Sequence, residues 1–180
     1  SRSAARATMP LCEANGATVT ISACTSAATI KAGTDVPSNT ARIQVVDTSD
    51  PTLPHVVGEL ATTVVPAGIL EVAINGAGTI AVTAMGTSGI WVLDLGNPAA
   101  PVRRGVYDTT GIAYAVALND SGSLAYVADG NGGIKIVSLA NPSAPTLLGS
   151  LAMTGVQRDI AVQGGVAFVA DQMGRLVVVD

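Results

Sequence analysis

Asp129 and Asp171 lie 42 residues apart, each opening a Gly-bearing turn: Asp-Gly-Asn-Gly-Gly at 129–133 and Asp-Gln-Met-Gly at 171–174. Oxygen ligands at alternate residues of such a loop suit a hard cation. The first loop, however, has no second carboxylate and no closing Glu. An Asx turn capping a hairpin uses the same residues, and it is the reading favoured here. His55 is the single histidine, one residue past Pro54. That count excludes a multi-histidine metal site within the chain and speaks against a Ser-His-Asp nucleophile; a surface histidine is expected. The two cysteines, Cys12 and Cys24, fit no zinc or redox spacing, so a local disulfide and two free thiols both remain open.

The elements that must position these residues are set by a repeat. An eighteen-residue phrase starts at Ile43 (IQVVDTSDPTLPHVVGEL), Ile90 (IWVLDLGNPAAPVRRGVY) and Ile134 (IKIVSLANPSAPTLLGSL), and LVVVD from Leu176 begins a fourth copy. The starts are 47, 44 and 42 residues apart, a period that means stacked supersecondary units, none able to bury its own faces alone. Before each later phrase come two short apolar runs, each closed by a turn. The first turns are Asn75–Gly78, Asn119–Gly122 and Gln163–Gly165, where Asn and Gly are expected to supply positive φ. The phrase itself reads as a third strand, a Pro-x-x-Pro corner and a fourth strand. Proline lacks a donor N–H and suits a corner better than a ladder. Asp50, Asn97 and Asn141 precede the corners and can bond nearby backbone. Asp47, Asp94 and Asp180 close the third strands and alternate with Ser138, which implies a backbone hydrogen bond, not a required charge. Gly58, Gly105 and Gly149 fall inside the fourth strands, where a bulge or a close backbone approach is expected.

Four short strands in 40–50 residues is the size of a propeller blade. The sequence thus predicts an all-β fold: a β-propeller of four-stranded antiparallel blades, with about four blade repeats present. Residues 1–17 read as an extended lead-in. Blades are expected at about 18–60, 61–107, 108–151 and 152–180, the last without its outer strand. In the first blade, Val19–Ala23 and Ala28–Ala32 are the expected opening strands, with a long polar hairpin from Ala32 to Arg42. Either the lead-in near Met9–Glu13 supplies a closing strand, or the chain is a piece of a larger propeller; the second is favoured.

The first strand of each blade should line the central channel. Alignment on Asn75, Asn119 and Gln163 matches Leu70 with Tyr114 and Arg158, and Glu71 with Ala115 and Asp159. Glu71, Tyr114, Arg158 and Asp159 are therefore the candidate binding surface at one channel mouth. The competing assignment makes Arg158 a salt bridge or backbone clamp between neighbouring blades. Trp91 is expected to pack between blades, and Arg103–Arg104 to be solvated edge-strand charges that deter sheet-to-sheet pairing.

The stretches AYVADGNGGIKIVSLANPSAP (125–145), AFVADQMGRLVVVD (167–180) and RDIAV (158–162) resemble the LVIVD-repeat family and, more loosely, the YVTN-type bacterial propellers. The resemblance covers roughly residues 43–180. It implies a propeller of an exported or surface-associated bacterial protein, mostly without assigned catalysis. AVTAMG (81–86) departs from the pattern where AYVADG stands later, which weakens any site repeated in every blade.

Composition narrows the function. Of the 180 residues, 48% are apolar and only 12% charged, with a net charge of −4. The charge argues against a nucleic-acid face, which needs clustered Lys and Arg. No apolar run reaches the roughly 18 residues of a spanning helix. Two lysines against seven arginines, with much Thr, Ser, Ala and Gly, resembles exported proteins. The expected function is a non-enzymatic scaffold or protein-interaction module, exported to the periplasm or cell surface and working with protein partners in a larger assembly. No cofactor is implied. The alternative is a small-ligand-binding or hydrolytic propeller with its site at the channel mouth.

Overall fold

The computed structural model describes residues 28–35, 40–63 and 68–180; the expected strand at Val19–Ala23, the lead-in and both cysteines lie outside them. Four antiparallel sheets follow one another along the chain. The first holds β1 (Ala28–Asp35), β2 (Thr40–Asp47) and β3 (His55–Thr63). The second holds β4 (Glu71–Ile74), β5 (Ile80–Ala84), β6 (Ile90–Asp94) and β7 (Val102–Tyr107). The third holds β8 (Ala115–Leu118), β9 (Leu124–Ala128), β10 (Ile134–Ser138) and β11 (Thr146–Leu151). The fourth holds β12 (Gln157–Gln163), β13 (Val166–Asp171) and β14 (Leu176–Val179). Each is a simple meander in which only sequence neighbours pair. Among the described residues there is no helix, and hence none long and apolar enough to cross a membrane.

Adjacent sheets pack face to face, and this is where the apolar runs go. Ile43 and Val45 of the first sheet are buried against Val72, Ala81, Trp91 and Leu93 of the second. The opposite face of that second sheet, Val82, Ala84, Ile90 and Val92, is buried against Val116, Ala125, Val127 and Val137 of the third. Ala128 and Ile134 of the third then meet Ile160, Ala167 and Val169 of the fourth. A strand covered on both faces has no polar side to present, so IWVLD reads as an unbroken apolar run and not as an alternation. Each buried Val or Ile contributes about 1.5–3 kcal/mol. The first strands also lie side by side: β8 packs against both β4 and β12. Isolated bridges Gly86↔Ala113 and Gly130↔Gln157 tie the second turn of one sheet to the inner strand of the next.

The expected corners form, and their polar residues act locally. Asp47 Oδ1 accepts from Ser49 N at 2.8 Å, Asp94 Oδ1 from Gly96 N at 2.8 Å, and Ser138 Oγ from Ala140 N at 3.3 Å. One acceptor oxygen suffices, which is why serine can stand in for aspartate. Asp50, Asn97 and Asn141 each accept from a backbone N–H two residues on. The inner-strand hairpins correct one expectation. Asn75 and Asn119 do not take positive φ; glycines such as Gly78 and Gly122 do. The asparagines instead use Oδ1 as an acceptor, Asn75 for Thr79 N and Ile80 N and Asn119 for Leu124 N. A second correction concerns the first hairpin. Pairing continues to Asp35↔Thr40, so the segment from Ala32 to Arg42 is mostly strand. The arginine doublet lies exposed on the edge strand β7, as expected, and each side chain also has a partner: Arg103 lies over the Trp91 ring at 4.4 Å, and Arg104 binds Asp94 Oδ2 through Nε and Nη2 at 3.0 and 2.7 Å. Trp91 itself is buried between the first two sheets.

The outer-strand glycines do two jobs. Pairing slips by one residue beside each: between Val45 and Val46, between Val92 and Leu93, and between Ile136 and Val137. Gly58 and Gly105 also receive the corner of the following sheet. A Cβ on Gly58 would collide with the Pro98 carbonyl oxygen, and one on Gly105 with that of Pro142. At Gly149 no described atom lies within 4 Å of a Cβ. Gly58→Ala and Gly105→Ala should therefore each cost about 1–3 kcal/mol by forcing a backbone apart, whereas Gly149→Ala should be neutral within about 0.5 kcal/mol. Denaturant unfolding of the three variants checks this; equal losses at all three would refute the corner-on-glycine contact.

Candidate functional site

Two groups of side chains carry the polar chemistry, both built on inner strands and the loops that enter them. In the first, the structure brings Tyr114 and Arg158 together: the guanidinium sits 4.1 Å from the ring centroid. Arg158 is the extra residue of a bulge, since Gln157 pairs with Asp171 and Asp159 with Ala170. A bulge re-aims its side chain, and here Arg158 swings over the neighbouring sheet's tyrosine while its Nη2 donates to Gln172 Oε1 at 3.2 Å. An exposed cation–π pair of this kind is worth about 0.5–1 kcal/mol. Tyr114 stands just before β8, half-buried, against the Gly130 turn. Glu71 is engaged elsewhere: its Oε2 accepts the Val116 N–H at 2.9 Å, clamping the second sheet to the inner strand of the third. Asp159 is half-buried next to the bulge.

The second group surrounds the paired aspartates. Asp171 Oδ1 accepts from Met173 N and Arg175 N, both at 2.9 Å, the geometry of an Asx turn. Its Oδ2 takes Arg175 Nε at 2.6 Å, and Arg175 Nη2 reaches on to Thr154 O at 2.6 Å. Backbone N–H donation from Arg175, helped by the guanidinium, holds this carboxyl below its ordinary value. Asp129 occupies the same repeat position in a different setting. It is wholly buried; Oδ1 accepts from Thr109 Oγ1 at 2.5 Å, and Oδ2 has no hydrogen-bond partner. Burial raises its carboxyl above the ordinary value of 3.8, against the opposing pull of the Thr109 hydroxyl and the Lys135 charge.

Both aspartates thus fasten the loop that leads into an inner strand, one through Thr109 and the other through Arg175 and Thr154. The loop over Asp129 is strained, with Thr110 at φ 66. A β-branched residue there costs on the order of 1–3 kcal/mol, which the Thr109 bond and the bond from Thr110 N to Asp108 Oδ1 at 3.0 Å help offset. Side chains that sequence reasoning missed are Thr109, Gln172 and Arg175. A signal existed in Gly111 and Gly155, which recur 44 residues apart; a Cβ at Gly111 would collide with Asp129, and one at Gly155 would crowd Asp171 and Arg175. Oδ2 of Asp129 is packed against Gly132, where a Cβ would strike it, so the carboxylate is walled in by backbone. Among the described residues no group of three His, Cys, Asp or Glu side chains is placed to hold a metal ion.

Comparison with known proteins follows the fold. The LVIVD repeat family matches residues 110–153 and 154–180. No curated protein matches the chain. The chain is similar to the β-propeller domain of Myceliophteria thermophila Cps50 (Swd1), with a TM-score of 0.70 and 13% identity over 94% of this chain and 53% of that one. It is also similar to the computationally designed Ika4 protein, with a TM-score of 0.60 and 12% identity over 83% of this chain and 84% of that one. At these identities the likeness speaks for the fold alone.

Two experiments test the roles assigned here. Arg158→Ala removes one cation–π contact and one hydrogen bond, so it should lower stability by no more than about 1 kcal/mol; a loss of several kcal/mol in chemical unfolding would make Arg158 an inter-blade clamp instead. Asp129 has a sign of its own. The folded state holds its proton more tightly than the unfolded state does, so its contribution is fully present below pH 3.8 and is lost as pH rises through the raised value. Asp171, Asp94 and Asp47 run the opposite way, losing stability as pH falls below the ordinary carboxylate range. The difference in melting temperature between Asp129→Asn and the parent isolates Asp129, and it should shift in favour of the variant from pH 4 to pH 7. A flat difference would mean that burial does not raise this carboxyl.

Proposed function

Starting from residues 110–180 as LVIVD repeats within a run of β-propeller blades, we propose that the chain is a non-enzymatic scaffold. It works as a protein-interaction module of an exported bacterial protein, inside a larger assembly. One observation carries this reading. The outer strands turn large apolar side chains to solvent: Val102 and Val106 on β7, and Leu147, Leu148 and Leu151 on β11. An apolar rim on a rigid sheet stack marks a contact surface. The polar groups that could serve chemistry support it from the other side, because each is spent on architecture. Glu71 clamps Val116, Asp94 holds a corner and Arg104, and Asp171 holds its own turn. Export is supported by the composition, rich in Thr, Ser, Ala and Gly and poor in Lys.

A second reading has its own observation. The Arg158–Tyr114 pair sets a cation on an aromatic face where inner strands of adjacent sheets meet, and it could receive a small anionic ligand.

Exposed outer-strand positions permit a clean test. Val106→Ser combined with Leu148→Ser should leave unfolding unchanged within about 1 kcal/mol, since both residues are exposed. Photocrosslinking from position 151, exposed on the same strand, should give a discrete higher-mass adduct in the producing cell that the double variant loses. An unchanged adduct pattern would remove the rim from the contact surface, and robust hydrolytic turnover by the purified chain would overturn the non-enzymatic reading.

A further inference from the structure

The turn that buries Asp129 also carries a residue the architecture does not use. Asn131 stands at the tip of this turn, exposed, and its side-chain amide makes no hydrogen bond to any described residue. Exposure belongs to the position. Thr87, its equivalent in the second sheet, is also exposed, although that sheet has a neighbour packed on each face. The residue after Asn131 must be glycine, because a Cβ on Gly132 would collide with Asp129 Oδ2 and crowd the Asp129 carbonyl oxygen. The buried carboxylate thus forces an Asn-Gly pair onto an exposed turn. The equivalent pairs are Thr87-Ser88 and Met173-Gly174, so the third sheet alone bears it among these turns.

Asparagine is a thermolabile residue. Before glycine it is most so, since no Cβ hinders the following backbone nitrogen from reaching Cγ. Asn75-Gly76 supplies an internal contrast. Asn75 is buried; its Oδ1 accepts from Thr79 N and Ile80 N at 2.9 and 3.0 Å, and its Nδ2 donates to Thr79 Oγ1 at 3.2 Å. Both ends of that amide are pinned, and Gly76 N is held by Asp120 O at 3.1 Å. At the exposed turn only the attacking nitrogen is held, by the bond from Gly132 N to Asp129 O at 2.8 Å. Opening one turn frees it, whereas freeing Asn75 requires opening the hairpin between two inner strands.

We propose that Asn131 is a self-modification site, converted in the folded chain to aspartate and isoaspartate while Asn75 is spared. The step consumes only water. Hydroxide takes the proton of Gly132 N, whose electron pair attacks Asn131 Cγ. The Cγ–Nδ2 bond breaks, and ammonia leaves with a proton from water, which restores the hydroxide and closes a five-membered succinimide. Water then adds to one ring carbonyl, and the ring C–N bond there breaks. Opening at Cγ leaves an aspartate on an unaltered backbone. Opening at the main-chain carbonyl routes the backbone through Cβ and Cγ, one atom longer.

The longer product reaches the next sheet. The turn is closed by the bonds from Gly132 N to Asp129 O and from Asp129 N to Gly133 O, both at 2.8 Å. Beside them Gly130 O accepts from Gln157 N at 3.3 Å, tying the third sheet to the inner strand of the fourth. An extra backbone atom at 131 disrupts that closure, so modification loosens the joint between the two sheets.

Peptide mapping of the purified chain tests this. Trypsin places Asn75 on the fragment 43–103 and Asn131 on 105–135, and fragmentation separates Asn131 from Asn119. In the folded chain at mildly alkaline pH, the mass gain of amide-to-acid conversion should accumulate at Asn131 at least tenfold faster than at Asn75. In denaturant the two rates should converge. Asn131→Ser should abolish the gain in its fragment. Hydrogen exchange at Gln157 N should quicken in the aged chain and stay unchanged in Asn131→Asp, which adds the charge without lengthening the backbone. Equal rates at Asn75 and Asn131 in the folded chain, or a gain on 105–135 that survives Asn131→Ser, overturns the site. Exchange at Gln157 that ageing leaves untouched overturns its effect on the joint.

Discussion

A four-stranded sheet with 20 residues in its strands cannot bury either of its faces alone, and every other feature of this molecule answers that constraint. Burial comes from the neighbour. The face formed by Ile90 and Val92 meets Ala125, Val127 and Val137 of the next sheet, and Ile134 of that sheet meets Ile160 and Val169 of the one after. The stack then needs devices that keep successive sheets in step. The structure provides three: a carboxylate on a neighbour's backbone N–H (Glu71 to Val116), short bridges such as Gly86↔Ala113, and proline carbonyls seated on glycine.

The polar residues make sense within this frame. In an ordinary soluble domain, a chain with few charges would place them on the surface. Here much of the charge sits at the joints. Arg104 ties an outer-strand bulge to the carboxylate that starts a corner, and Arg175 ties a hairpin turn to the loop entering the same sheet. Asp129 does the work of Asp171 without a cation in contact. It depends on a threonine hydroxyl and a shell of glycine backbone, and burial moves its protonation accordingly. Identical repeat positions therefore carry unlike electrostatics, because two differing neighbours, Arg175 against Gly133 and Met153 against Thr109, decide how the carboxylate is satisfied.

Much of the architecture was legible in the chain because a repeat reports the same structural event several times. Third strands, corners and outer strands could be placed from IWVLD-type runs, paired prolines and the glycine inside each fourth strand. The Asp/Ser interchange at 47, 94 and 138 correctly reduced three residues to one hydrogen-bond acceptor. What misled were local rules applied without the neighbour. Asparagine at 75 and 119 was assigned to positive φ, yet its side-chain acceptor is what the turn uses. The arginine doublet was legible as exposed edge-strand charge, but a linear sequence does not show that Trp91 and Asp94 lie across the ladder from it.

Sequence alone determined the period, the four-strand unit and the alternation of strand and turn, since each depends on residues a few positions apart and on hydrophobic runs with nowhere to go but between sheets. Tertiary structure decided everything that joins one unit to the next. Arg158 found Tyr114 only through a bulge, and Thr109 found Asp129 across twenty residues. Those outcomes depend on distances between separate sheets, which packing sets and residue order does not encode locally.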